Sequence, residues 1–329
     1  MKQQQKQFVY YPFRGSSNSY TDNFKKCVEQ LGYIEITSSI PKLLYSKLFL
    51  KPADLTIVNW IENDIISSNG KLSLLGVITV FVRILIIKFT SKKVLYIKHN
   101  QYPHKTIKKH RKIAKKITNR IELAFSDLVA IHSPVHTNNK RFYIPFPLYN
   151  VKTETSKTNK IKKDYYVLFG RIMRYKNITE LLINLHDDTN LIIAGLCSDS
   201  TYLEELKSIS KGNITIIENY MSDDEAAELV TNSKGLIVSH SSDNTTLSAS
   251  FFFAASLGVK VFALKTDFLD HLSKNNTYPD LYAYETLKEL CSDLKNHDNR
   301  QTDHKNNIKQ VQKYFGTEAT KKALSKILK

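Results

Sequence analysis

The stretch VLFGRIMRYKNITELL (167–182) decides the fold class of this chain. A short apolar run, as in a buried strand, ends at Gly170, and after Tyr-Lys-Asn the pattern becomes that of an amphipathic helix. The same change from a short apolar run to a longer helical pattern repeats along the chain. Such alternation is typical of βαβ units, which build a parallel sheet. The sequence therefore predicts an α/β protein.

Ten apolar runs are candidate strands, five in each half of the chain. Those of the first half are 8–13, 33–37, 55–60, 94–99 and 128–133. Those of the second half are 165–170, 190–195, 214–219, 235–240 and 259–264. Between the halves, VKTETSKTNKIKK (151–163) is polar and charged, as in a linker. We expect two Rossmann-like domains that face a cleft, 1–150 and 164–305, and a C-terminal helix over 306–329.

The charge balance favours anionic partners. The 329 residues include 48 Lys and Arg against 31 Asp and Glu, which gives a net charge of +17. Nucleic acid, an anionic bilayer and phosphorylated small molecules all fit such a surface. The three cysteines form no CxxC pair, and we see no export signal at the N-terminus, so we expect a cytoplasmic protein.

Two segments bear on a membrane partner. The run 72–89 is nearly long enough to span a bilayer, but Arg83 and Lys88 interrupt it, so we expect a buried helix or one that lies with an apolar face on a membrane. The run Lys105–Arg120 holds eight Lys or Arg and no acid. With few aromatic residues for stacking on bases, it favours membrane phospholipid or a lipid-linked diphosphate over nucleic acid, which remains the alternative.

Candidate ligand-binding residues follow the strands of the second half, where open α/β sheets collect their ligands. Gly170, Arg171 and Lys176 follow the first of these strands, and the two cations suit a diphosphate. An ordinary solvated turn is the alternative. In the segment 241–253, small polar residues lead into an apolar helix, which either binds an anion at its N-terminus or is simply a capped core helix. The residues concerned are Asn244, Thr245, Ser248 and Ser250.

Candidate acceptor and catalytic residues lie in the first half. His99, Asn100 and His104 follow the fourth predicted strand, where an imidazole can contact a sugar hydroxyl or take a proton. After the third strand, Trp60 is either a sugar-stacking residue or core filler, and Glu62 is a candidate base. The loop after the first strand offers Gly15, Asn18 and Tyr20 for the approach of an acceptor.

The order of these motifs resembles that of GT-B glycosyltransferases. Four segments of the second half resemble a donor-binding domain of this kind: the strand followed by GRIMRYKN, the LIIAG strand, NITIIENYMSDDE, and the Ser/Thr-rich loop before AASLGVKV. In the first half, HNQYPH and the Ser-Asn-x-Tyr loop resemble the acceptor domain of bacterial exopolysaccharide and O-antigen transferases. The resemblance implies sugar transfer from a nucleotide diphosphate sugar. It places Arg171 and Lys176 at the diphosphate, Tyr220 and Met221 near the base, and Ser248 to Ser250 at a phosphate.

The chain departs from this family at two points. Ser248-Ala249 stands where related inverting enzymes often have Ser-Gly, and the Glu-x7-Glu pair of many retaining members is absent, since only Asp243 stands in this loop. An inverting reaction is therefore expected, with His99, His104 or Glu62 as base. Without an Asp-x-Asp motif, we expect no metal and no cofactor beyond the donor itself. We expect a lipid-linked acceptor at the inner face of the cell membrane; a non-catalytic protein that binds anionic lipid or nucleic acid is the rival.

Overall fold

The computed structural model describes residues 5–13, 19–36, 39–49, 52–151, 164–240, 247–296 and 302–329. The chain divides into two compact units. Unit 1 runs to Pro147 and also takes in Thr317–Lys329, and unit 2 lies between Leu148 and Gly316. The predicted linker 151–163 falls almost entirely outside the described residues.

The described part of unit 1 contains a parallel sheet of six strands in the order β2-β1-β3-β4-β5-β6. The strands are β1 (Lys6–Tyr11), β2 (Tyr33–Glu35), β3 (Leu55–Asn59), β4 (Val94–Ile97), β5 (Leu128–Ile131) and β6 (Arg141–Tyr143). The helices between them are α1 (Ser19–Glu29), α2 (Ile40–Phe49), α3 (Leu74–Thr90) and α4 (Arg111–Phe125). Every residue of β3 and β4 is buried, as a sheet covered on both faces requires.

The described part of unit 2 contains a second parallel sheet, in the order β12-β11-β10-β7-β8-β9. The strands are β7 (Tyr166–Phe169), β8 (Leu191–Ala194), β9 (Ile214–Ile217), β10 (Gly235–Val238), β11 (Val261–Leu264) and β12 (Leu281–Tyr284). The helices are α5 (Ile178–Asn184), α6 (Ser200–Ile209), α7 (Asp223–Thr231), α8 (Ala249–Ser256), α9 (Asp267–Lys274), α10 (Leu287–Asn296) and α11 (His304–Tyr314). The strand order reverses between β7 and β10, and ligands of such sheets bind at that point.

These sheets confirm the predicted α/β fold class with two Rossmann-like domains. Nine of the ten predicted runs contain one strand each, and the first run, 8–13, overlaps β1, which begins at Lys6. The strands β6 and β12 were not predicted, because β6 is three residues long and begins with Arg141, and β12 has two tyrosines among its four residues and only one buried side chain.

The predicted single C-terminal helix over 306–329 is wrong. The segment forms α11 and a second helix, α12 (Thr317–Ile327), which belong to different units. Gly316 separates them with a φ of 95°, a left-handed conformation that ends a helix and favours glycine.

The apolar segment 72–89 forms α3 and packs on the sheet of unit 1. Ser73 caps the helix by accepting a hydrogen bond from the Gly76 amide at 3.0 Å. Val80, Ile84 and Ile87 are buried in the core of the unit. Among the described helices, none is long and apolar enough to cross a membrane.

Candidate functional site

In unit 2, a buried ammonium group lies beside the turn that follows β7. Gly170 leaves the strand with a φ of 104°, and a short 3-10 helix, Arg174–Lys176, precedes α5. The side chain of Lys176 is only 6% exposed, and its Nζ donates to the Phe169 carbonyl at 3.2 Å. Among the described residues it forms no ion pair, and burial lowers its pKa to about 8. Burial of a cation without an acid is unfavourable, so this position favours an anionic ligand.

The start of α8 lies at the same turn. Ser250 donates its hydroxyl to the Phe169 carbonyl at 3.0 Å. A Cβ built on Gly170 would lie 3.0 Å from Nζ of Lys176 and 3.5 Å from Oγ of Ser250. A glycine at this position therefore lets a ligand approach the backbone beside an ammonium, a hydroxyl and a helix N-terminus, a combination suited to phosphate.

Two serines fix the geometry of this turn. Ser248 is the N-cap of α8, and its hydroxyl oxygen accepts a hydrogen bond from the Phe251 amide at 3.3 Å, which stabilises the start of the helix. Ser239, which follows β10, donates to the Lys176 carbonyl. Sequence reasoning did not single out Ser239, although it lies at the carboxyl end of the predicted run 235–240.

The other predicted donor residues are not all brought to this turn. Arg171 follows Gly170 and is exposed. Tyr220, 61% exposed, and Met221 follow β9, which is separated from β7 by β8. Asn244 and Thr245 lie outside the described residues.

In unit 1, the Trp60 ring, the His99 ring and the Asn59 amide form a cluster where β3 and β4 end. His99 is buried and stacks on Trp60 with ring centroids 4.5 Å apart and an angle of 19° between the planes. Nε2 of His99 lies 2.8 Å from Oδ1 of Asn59. The Asn59 amide therefore holds the imidazole ring at Nε2. Trp60 adopts a φ of 52°, a strained conformation of the kind that clusters at functional sites.

A second imidazole, which sequence reasoning missed, orders the same cluster. Nδ1 of His132 donates to the Ile144 carbonyl at 2.8 Å, which leaves Nε2 as an acceptor. The hydroxyl of Tyr20 lies 2.7 Å from this nitrogen and donates to it, and the Tyr20 ring packs edge-on against His99. His132 follows β5 as His99 follows β4, so the rule that selected His99 would have found it.

Both imidazoles are neutral at pH 7. Burial lowers the pKa of His132 to about 4. Burial also lowers the pKa of His99 well below its usual value, and the nearby His132 and His104 add to this shift. A neutral His99 is able to accept a proton.

The structure separates Glu62 from this cluster. Glu62 is fully buried in the core of unit 1 and accepts a hydrogen bond from the Tyr96 hydroxyl at 2.9 Å. Burial raises its pKa to about 7, and its charged neighbours are Lys98 and Asp64.

The remaining acceptor candidates lie close to His99 in the chain or outside the described residues. Asn100 is buried and His104 is half-buried. Gly15 and Asn18 belong to the residues that are not described. Within the described residues, no group of three or more His, Cys, Asp or Glu side chains is placed to hold a metal ion.

Comparison by sequence finds neither a matching family model nor a matching curated protein. Comparison by structure does find matches. HepE of Anabaena, solved with UDP and glucose, has a TM-score of 0.65 at 13% identity, over 98% of this chain and 99% of HepE. Sucrose-phosphate synthase of Thermosynechococcus elongatus has a TM-score of 0.67 at 13% identity, over 98% of each chain.

AviGT4, a glycosyltransferase involved in avilamycin A biosynthesis, has a TM-score of 0.63 at 11% identity, over 98% of this chain and 97% of AviGT4. At such identities the likeness concerns the fold. The chain has the fold of the GT-B glycosyltransferases, as the sequence motifs indicated.

Proposed function

We propose that the protein is a glycosyltransferase that moves a sugar from a nucleotide diphosphate sugar to an acceptor hydroxyl. The fold supports this reaction class, since the similar HepE has been solved with UDP and with UDP-glucose. Unit 2 binds the donor and unit 1 binds the acceptor.

The observation that carries the proposal is the buried Lys176, which has no acidic partner among the described residues and lies beside Ser250 and the start of α8. In sugar transfer the leaving diphosphate gains negative charge as its bond to the sugar breaks. Lys176 and Arg171 neutralise this charge. In other enzymes a metal ion has this role. The reaction is accordingly metal-independent and needs no cofactor besides the donor.

The acceptor reacts at the cluster in unit 1. Its hydroxyl oxygen attacks the anomeric carbon on the face opposite the diphosphate, the bond from that carbon to the phosphate oxygen breaks, and the electron pair leaves with the nucleotide diphosphate. His99, which the Asn59 amide holds at Nε2, takes the hydroxyl proton. Trp60 offers a ring face to the sugar. A single displacement of this kind inverts the anomeric configuration.

The acceptor is a lipid-linked oligosaccharide of bacterial surface polysaccharide synthesis, and the enzyme is cytoplasmic and peripheral on the inner face of the cell membrane. The net charge of +17 and the basic run Lys105–Arg120 support this location, because anionic lipids attract such surfaces. Nucleic acid is not an expected partner.

Calorimetric titration with UDP-, GDP- and ADP-sugars tests the donor site. We expect saturable binding of one nucleotide class, weakened at least about tenfold in Lys176→Met, since charge-assisted hydrogen bonds contribute roughly 1.5–3 kcal/mol. Lys207→Met is the matched control, because Lys207 is an exposed lysine of the same unit that pairs with Glu204. A folded protein that binds none of these donors would leave the rival function, a basic protein that binds anionic lipid or nucleic acid.

A further inference from the structure

Helix α3 exposes an apolar stripe on the side opposite its buried face. At 100° per residue, six exposed apolar side chains fall within about 100° of the helix circumference. They are Leu74, Leu75, Ile78, Val82, Leu85 and Phe89. The buried Val80, Ile84 and Ile87 lie on the other side, so the stripe is not an edge of the core.

The stripe carries no charge over about 22 Å of helix length, at 1.5 Å rise per residue. The two cations of α3 lie outside it. Arg83 pairs with Asp64 at 2.5 Å, and Lys88 pairs with Asp127. A continuous apolar surface of this kind usually marks an interaction site.

The basic helix α4 lies alongside α3 on the same face of the sheet. Near the N-terminal ends of the two helices, the Leu72 amide donates to Nδ1 of His110 at 2.9 Å, and the Ile107 amide donates to the Gly70 carbonyl at 3.1 Å. At the other ends, Lys88 bonds to Asp127. Helices α3 and α4 are therefore neighbours along their whole length, so the stripe of α3 lies beside the cations of α4.

The eight cations of the basic run are exposed, and no acid of the described residues forms an ion pair with any of them. They are Lys105, Lys108, Lys109, Arg111, Lys112, Lys115, Lys116 and Arg120. An apolar face flanked by lysines and arginines is the pattern of a helix that lies in the plane of an anionic membrane surface. A second copy of the chain fits less well, because pairing two such faces would bring two basic runs together.

We infer that the stripe of α3 enters the interfacial layer of an anionic lipid bilayer while the cations of α4 contact the lipid headgroups. This inference deepens the membrane association in the proposed function and rests on that part of it. The insertion is peripheral, with α3 parallel to the membrane plane.

Sedimentation of the full chain with vesicles, without donor, tests the inference. We expect binding to vesicles of phosphatidylglycerol and phosphatidylcholine and much weaker binding to phosphatidylcholine alone. Leu75 and Leu85 are 78% and 64% exposed, so L75S/L85S leaves the core intact and adds no charge. We expect this variant to bind at least about tenfold more weakly, because it removes two apolar anchors. Ile183→Ser, at a residue 65% exposed on α5, is the control and should bind as wild type does.

Two results would overturn the inference. One is vesicle binding that high salt abolishes and L75S/L85S leaves unchanged, which would mean a purely electrostatic contact. The other is a wild-type dimer in analytical ultracentrifugation that becomes a monomer in L75S/L85S, with no vesicle binding by either protein. Donor calorimetry is done without vesicles, so failure of the donor site and failure of the membrane surface are distinguishable.

Discussion

Donor binding should take up protons at alkaline pH, because Lys176 is partly deprotonated in the free protein. Its pKa is about 8, and a bound diphosphate raises this value by favouring the charged ammonium. If the bound lysine is fully protonated, binding takes up about 0.1 proton at pH 7, about 0.5 at pH 8 and about 0.9 at pH 9. Above pH 8 the dissociation constant should rise about tenfold per pH unit.

Calorimetry in pairs of buffers with different ionisation enthalpies measures this uptake directly. The Lys176→Met variant should lose the part of the uptake that grows with pH, and Lys207→Met should keep it. An uptake that is the same at pH 7 and pH 9, or that is unchanged in Lys176→Met, would refute the argument that a buried and unpaired ammonium meets the donor.

Two further predictions concern the imidazoles of unit 1. The pKa of His132 falls from 6.5 to about 4 on folding, so acidification from above pH 6.5 to pH 4 should remove about 3 kcal/mol from the free energy of unfolding. In urea unfolding, the free energy of wild type should fall more steeply with decreasing pH than that of His132→Gln, and an equal fall in the two proteins would contradict the prediction. Trp60, the single tryptophan, stacks on His99, so its fluorescence should stay constant from pH 8 to pH 6 and be quenched only at lower pH, when the imidazolium forms. Quenching with a midpoint near pH 6.5 would contradict this prediction, because His99 would then titrate as an exposed histidine does.

The strands could be predicted because each central strand of a parallel sheet is buried on both faces and is therefore a continuous apolar run. The position of Lys176 after β7 followed from the same pattern. Its burial did not, because residues distant in the chain complete this turn: Ser239 donates to the Lys176 carbonyl and Ser250 donates to the Phe169 carbonyl.

The cluster in unit 1 was only partly predictable for a similar reason. Tyr20 and His132 are 112 positions apart, and only the order of strands in the sheet brings them together. Glu62 stands two residues after Trp60, yet it lies in the core against Tyr96, since local spacing does not say which face of the sheet a side chain joins.

The position of α12 has a consequence for biosynthesis. This helix packs on α1, where the Cys27 thiol donates to the Thr317 carbonyl at 3.7 Å and the Thr320 hydroxyl donates to the Pro145 carbonyl at 2.8 Å. A ribosome makes all of unit 2 before it reaches Thr317. The first unit therefore waits with one side of α1 uncovered, and a chaperone that binds apolar helix faces should hold released chains truncated before residue 317 longer than released chains that include α12.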